Sequence, residues 1–294
     1  MIYNTIISDD GGTGMSAIGW YNGTLGDLDR MTVPMNDRAV YFGDGCYEAC
    51  LANNKRAFQL DAHIDRFYRS LEGLSIPFQT DRDALKDVLR QCLGAADEPC
   101  AVLYWQASRA TARRMHAFPE GEQKPNLLVT VTPKTLLGSE QTMKLITAED
   151  IRYAMCHIKT LNLIPNVLAS ARAKEAGADE AVFVRDGFVT EGSHTNIHII
   201  KDGMLFTHPT DERILAGVTR AVLLDLCRDL GVPVKEQAFS KADLFAADEV
   251  LVSSSTLGVR RASQIDGTAV GGKAVALYER LRNAYETVFR GEMA

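Results

Sequence analysis

Three short turn signatures do most to limit the folds open to this chain. Asn22-Gly23 lies between apolar flanks, and Asp186-Gly187 and Asp202-Gly203 sit sixteen residues apart in AVFV-RDG-FVTEG and NIHII-KDG-MLFTH. Such pairs accept the positive φ that a two-residue hairpin turn demands, so each predicts two adjacent antiparallel strands. Glu191 then falls at a strand end or sharp connection, where side chains point at clefts. Further strands are predicted at CYEACLA and RAFQL, joined by Asn53-Asn54-Lys55, at 101–108 and at NLLVTVT. In the first of these Tyr47, Ala49 and Leu51 face one way and Cys46, Glu48 and Cys50 the other.

Helical periodicity fills the gaps. Leu60, Ile64, Phe67, Leu71 and Leu74 recur every three to four residues and leave Arg66 off the stripe. A second helix is predicted at 81–93. A third opens after Gly217, places Val218, Val222, Leu226 and Leu230 on one face, and stops at Gly231. SKADLFAADEVLVSSST predicts a capped short helix, a strand and a hydroxyl-rich loop, and a final helix covers about 273–290. The pattern lapses around PKTLLGSEQ, which sets an expected boundary between a domain at 1–134 and one at 135–294.

Composition removes several classes of function. A net charge of -6 argues against a nucleic-acid binder, which wants a basic face. No apolar run approaches the 18 or so residues that span a bilayer, and MIYNTIISDDGG lacks the regions of a signal peptide. The six cysteines, at scattered spacings, do not form a disulfide framework. A soluble, cytoplasmic, reduced protein is expected.

From Tyr153 to Ala171 the chain carries one formal charge, Lys159. A lysine in apolar surroundings often lays its stem along the surface and keeps its charge in water. Alternatively, desolvation lowers its pKa and frees an amine for Schiff-base chemistry. Gly217-Val218-Thr219 at a helix start offers unpartnered amides to a phosphate, although many helices follow a glycine and bind nothing. The same two readings, phosphate site or polar turn, apply to the SSST run that includes Ser255 and Thr256. Arg66 reads as a phosphate clamp or a surface arginine. His194 and His198 fall on a strand without the glutamate of HExxH, so no metal is expected. Cys46 and Cys50 read as small buried hydrophobes. GGTG at 11–14 lacks the lysine and hydroxyl of a phosphate loop, and no GxSxG surrounds a serine. The loop at 109–124, with Arg109, Arg113, Arg114 and His116, is either solvated or a trap for carboxylates, onto which arginine forks.

Taken together, DRAVYFGDGCYE, LDAHIDRFYRSL, IKTLNLIPNVLA, VTEGSHTNI, ILAGVTR and LVSSST resemble, in order and spacing from about 37 to 270, the fold-type IV pyridoxal-phosphate enzymes, the class IV aminotransferases. The closest likeness is to D-amino-acid aminotransferases. The resemblance implies an α+β fold, with a small N-terminal domain, a larger pseudo-barrel C-terminal domain and an active site between them. It implies pyridoxal 5'-phosphate held covalently by Lys159, which also moves the substrate proton, with Glu191 against the ring nitrogen. Arg66, the Val218 and Thr219 amides after Gly217, the Thr219 hydroxyl, Ser255 and Thr256 would hold the phosphate. Leu215 would pack behind the ring and Tyr104 would line the site. Tyr47, Arg114 and His116 would trap the substrate carboxylate, with the 109–124 loop reaching the partner's site in a homodimer. The expected substrates are a D-amino acid and a 2-oxo acid. A branched-chain L-aminotransferase and an aminodeoxychorismate lyase remain alternatives on the same fold. Ser193-His194-Thr195, Arg260-Arg261 and the extra Arg113 depart from the pattern of the D-enzymes.

Overall fold

The computed structural model describes residues 5–6, 17–135 and 141–293; the GGTG run and the centre of the predicted boundary, 136–140, lie outside the described residues. The chain divides into two compact units, one holding 1–136, 158–162 and 292–294, the other 137–157 and 163–291.

In chain order the first unit contains β1 (Thr5–Ile6), β2 (Ile18–Tyr21), β3 (Thr24–Asp27), α1 (Arg38–Phe42), β4 (Gly45–Asn53), β5 (Arg56–Ala57), α2 (Leu60–Gly73), α3 (Arg82–Ala95), β6 (Cys100–Ser108) and β7 (Asn126–Pro133). Its strands form one sheet in the order β1-β3-β2-β7-β6-β4-β5, antiparallel except where β1 meets β3. The β2–β3 hairpin turns on Asn22 and Gly23, both at positive φ (45° and 97°). The nine-residue strands β4 and β6 pair along their whole length, Gly45 opposite Ser108 and Asn53 opposite Cys100. Cys46, Glu48 and Cys50 point into a core with Ile64, Phe67, Leu89, Leu103 and Trp105. Burying one such large side chain contributes roughly 1.5–3 kcal/mol. Helix α2 buries a broader face than its apolar stripe predicts, because His63, Arg66 and Ser70 are sealed in beside Ile64, Phe67 and Leu71. A carboxylate on β4 accounts for that.

The second unit comprises β8 (Met143–Glu149), α4 (Ile164–Glu175), β9 (Glu180–Arg185), β10 (Phe188–Gly192), β11 (Asn196–Lys201), β12 (Met204–Thr207), α5 (Val218–Asp229), β13 (Val234–Glu236), α6 (Lys241–Ala246), β14 (Glu249–Ser254), β15 (Gly258–Ile265), β16 (Thr268–Ala269) and α7 (Val275–Met293) as far as Gly291. The sheet runs β10-β9-β8-β15-β14-β11-β12-β13, with β16 on β15. Asp186-Gly187 and Asp202-Gly203 close the β9–β10 and β11–β12 hairpins at positive φ. Asp266-Gly267 does the same between β15 and β16, a turn the periodicity did not reveal. Ser240 and Asp243 form a reciprocal capping box on α6. On α5 the buried face is Val218, Thr219, Arg220, Leu223, Leu226 and Cys227. It is turned about one residue from the predicted stripe, since Val222 and Leu230 are only half-buried. Helix and strand thus contribute to both units, an α+β architecture. No described helix is long and apolar enough to cross a membrane, and all six cysteines are free thiols.

Candidate active site

In the first unit the Lys159 segment adds itself to the Gly45–Tyr47 end of β4, on the edge whose other end pairs with β5. The Tyr47 amide donates to the Lys159 carbonyl (3.0 Å), and the Leu161 amide to the Gly45 carbonyl (3.0 Å). The Lys159 amide donates to Ser70 Oγ on α2 at 3.2 Å. The backbone is therefore pinned from a strand and a helix, and the half-buried side chain extends until Nζ lies 4.1 Å from the centre of the Tyr47 ring. Tyr47 stacks on Tyr104, centroids 5.5 Å apart, and Tyr104 donates to Gln106 (2.7 Å). Burial pushes the Tyr104 phenol well above its ordinary range.

Behind that strand lies a sealed charge cluster. Arg66 forks onto Glu48, Nε to Oε1 at 2.6 Å and Nη2 to Oε2 at 2.8 Å, and His63 Nδ1 lies 2.8 Å from Oε2. Burial alone would raise the Glu48 carboxyl, but Arg66 and His63 outweigh it and hold it at about 2. Burial outweighs Glu48 at His63 and lowers that imidazole. Arg66 is thus an oriented, buried guanidinium.

The 109–124 loop is built from inside. Arg109 reaches Asp44 (2.9 Å) and the carbonyls of Leu74 and Ser75 (2.7 and 2.8 Å), beneath the Phe118 ring. Arg38 donates to Asp44 and to the Met115 carbonyl, both at 2.6 Å. These two buried arginines are scaffolding. Arg114 and His116 are exposed and flank Phe42, at 5.3 and 5.4 Å from its ring centre.

In the second unit Glu191 sits on β10, 6% exposed, and both oxygens are engaged. Oε2 accepts from the Leu215 amide (3.0 Å) and Asn196 Nδ2 (3.1 Å), and Oε1 pairs with Arg152 Nη1. Asn196 also donates to the Leu215 carbonyl at 3.0 Å, which fixes the half-buried Leu215 beside Glu191. Arg152 is forked onto buried Asp150 (2.9 and 2.8 Å). Burial by itself would lower the guanidinium pKa, but Asp150 and Glu191 raise it.

Helix α5 opens at Gly217 without a side-chain cap, so the first-turn amides of Val218 and Thr219 have no helical partner. Thr219 is 2% exposed and its hydroxyl oxygen has no hydrogen-bond partner. A Cβ on Gly217 would collide with Asn196 Oδ1. Open amides, a dipole-positive helix end and an orphaned buried hydroxyl are the donor set a phosphate requires. These residues fit such a group. Ser255 and Thr256 lie in the β14–β15 turn, where the Ser254 and Thr256 hydroxyls are 3.4 Å apart.

The departures from the D-enzyme pattern resolve locally. Buried Glu180 accepts from Ser193 Oγ (2.5 Å) and Thr195 Oγ1 (2.9 Å), and His194 Nδ1 stands 3.1 Å from it with half its side chain exposed. Strand alternation separates Arg260, buried and donating to the Leu257 carbonyl (3.1 Å), from Arg261, which lies 3.8 Å from Glu249 and against Tyr278. His198 is sealed between Thr207 (2.9 Å) and Ser253 (2.8 Å), and burial lowers its pKa to about 3. Among the described residues no cluster could hold a metal ion. Sequence reasoning missed Glu48 with His63, and Arg152 with Asp150. Glu48 had a visible signal, a charge on a strand face shared with Cys46 and Cys50; the Arg152 network had none.

The family model for class IV amino-transferases matches residues 45–265. A D-alanine aminotransferase of Bacillus licheniformis is 36% identical over 256 residues, 86% of this chain and 90% of the relative. Among solved structures, the branched-chain aminotransferase of Thermoproteus uzoniensis with norvaline aligns over 95% of this chain and 96% of its own, with a TM-score of 0.86 at 21% identity. The T.th. branched-chain amino acid aminotransferase with pyridoxamine 5'-phosphate aligns over the same shares with a TM-score of 0.85 at 24% identity. The structural likenesses concern the fold, which is that of the fold-type IV transaminases.

Proposed function

The chain belongs to the class IV aminotransferases, which use pyridoxal 5'-phosphate, and on that premise we propose that it moves the amino group between a D-amino acid and a 2-oxo acid in the cytoplasm. Bound pyridoxal phosphate supplies a reactive carbon and an electron-accepting ring. Lys159 Nζ would hold it covalently until the incoming substrate amine displaced it, and the freed amine would then take the proton from the substrate's α-carbon and return it one position away. Tyr47, beneath that amine, and Tyr104, stacked on it, line the substrate side. Glu191 would meet the ring nitrogen, and Leu215 would back the ring. The phosphate would be held by Arg66, which Glu48 orients, by the Val218 and Thr219 amides and the Thr219 hydroxyl, and by Ser255 and Thr256.

The observation that carries the reading is the Lys159 amine, pinned by its own backbone and set over Tyr47. The D-preference draws on the D-alanine aminotransferases at 35–36% identity. It draws also on a loop whose scaffold is complete while Arg114 and His116 face outward, ready to fork onto a carboxylate. Met115 and Phe118 on this loop, and Met35 and Val40 on the segment that Arg38 ties to it, are exposed and suit coverage by a second copy, so the loop would serve the partner's site in a homodimer.

The deciding assay offers D-alanine and L-leucine separately, each with 2-oxoglutarate. Amino transfer from D-alanine is expected, and transfer from L-leucine alone refutes the preference. Hydride reduction of the loaded protein followed by peptide mapping should place the pyridoxyl group on Lys159; a label elsewhere refutes the site.

A further inference from the structure

We propose that Arg152 is a positioning residue that keeps Glu191 an anion and thereby keeps a proton on the ring nitrogen of bound pyridoxal phosphate, a role that presupposes the site described above. Arg152 touches neither substrate nor cofactor in this scheme. It acts through Glu191.

Its side chain is 6% exposed, and every nitrogen is engaged. Nε and Nη2 fork onto Asp150, whose charge is further countered by Arg185 Nη2 (3.1 Å) and the Thr190 hydroxyl (2.9 Å). Nη2 also donates to the Arg213 carbonyl at 3.0 Å, and the guanidinium carbon lies 4.5 Å from the Phe183 ring centre. That leaves Nη1 for Glu191 Oε1. The guanidinium is thus locked on one side by an acid remote from the cofactor, and presents its remaining donor to the acid that meets the cofactor. Asp150 draws the arginine into place and Glu191 takes the benefit.

The consequence follows from proton sharing. A carboxylate facing a ring nitrogen across one hydrogen bond can leave the proton on nitrogen, as an ion pair, or take it, as a neutral pair. Burial favours the neutral pair, and an adjacent guanidinium favours the ionic one by stabilising the carboxylate. Arginine stays charged throughout the accessible pH range, so the bias is permanent. Without it, the proton moves from the ring nitrogen to a Glu191 oxygen and the ring loses its strength as an electron acceptor.

The test uses the holoenzyme loaded with cofactor labelled with 15N in the ring. In Arg152→Met the nitrogen resonance should move downfield toward the neutral-pyridine position. In Arg152→Lys, which keeps a cation, it should stay near the wild-type position. Cofactor affinity, titrated on the cofactor-free protein, should weaken about tenfold or more in the Met variant. Should that variant fail to fold, Arg152→Gln, a neutral amide able to reach Asp150, makes the same comparison. Arg185→Gln reports what Asp150 neutralisation contributes to the fold alone, and should lower the melting temperature without moving the resonance. An unmoved resonance and unchanged affinity in a folded neutral variant overturn the proposal. Failure of the site itself is distinct, because hydride mapping of the wild type would then miss Lys159.

Discussion

Replacing Glu48 with glutamine isolates the contribution of the buried charge cluster. The carboxyl is held at about 2 against an ordinary 4.5, a difference worth about 3 kcal/mol at roughly 1.4 kcal/mol per decade. An independent route agrees, since removing one partner of a buried ion pair and stranding the other typically costs about 3–5 kcal/mol. Arg66, with a side chain only 6% exposed, is the group that would lose its carboxylate. The expected loss is therefore about 3 kcal/mol at pH 7, measured as a lower urea midpoint at unchanged slope on cofactor-free protein. The pH dependence has a definite sign. A carboxyl whose folded-state pKa is depressed stabilises fully above its unfolded value, so the contribution is intact above about 4.5 and drains away as pH falls toward 2. The gap between wild type and Glu48→Gln should narrow steadily from pH 5 downward. A loss under about 1 kcal/mol at pH 7, or a gap as wide at pH 3 as at pH 7, refutes the assignment of Glu48 as the anchor of Arg66.

Arg114→Ala should raise KM for D-alanine about tenfold, the equivalent of one charge-assisted hydrogen bond, with no change in melting temperature because the side chain is exposed; an unchanged KM removes Arg114 from the carboxylate trap. His198→Gln should reduce acid sensitivity. The imidazole is pushed from 6.5 to about 3 by burial and by Arg220, so the unfolded chain takes up a proton first and stability falls as pH drops through that interval. Melting curves between pH 7 and 4 should be flatter in the variant, and parallel curves would contradict this.

What the sequence disclosed was mostly local. Asn22-Gly23, Asp186-Gly187 and Asp202-Gly203 announce their hairpins because positive φ is a property of the dipeptide itself. Lys159 stood out because charge is scarce around it, and Gly217 because a helix start needs no distant partner to be visible. Arg152 and Glu191 are 39 residues apart, and nothing within one window links them. Charged side chains are assigned to the surface by default, which hid Arg152, Asp150 and Glu48 and turned the stripe of α5 away from buried Arg220. The same default made Arg66 look peripheral. Its true environment depended on β4 delivering a carboxylate to the face of α2, a matter of tertiary register that periodicity does not carry.

The five residues 158–162 belong to the first unit while the chain on either side belongs to the second. Neither half is therefore a continuous stretch of polypeptide. A gene severed near residue 136 would give Lys159 to the fragment that lacks its seat on β4. On the ribosome the Gly45–Tyr47 end of β4 waits for this edge partner until more than a hundred further residues have emerged.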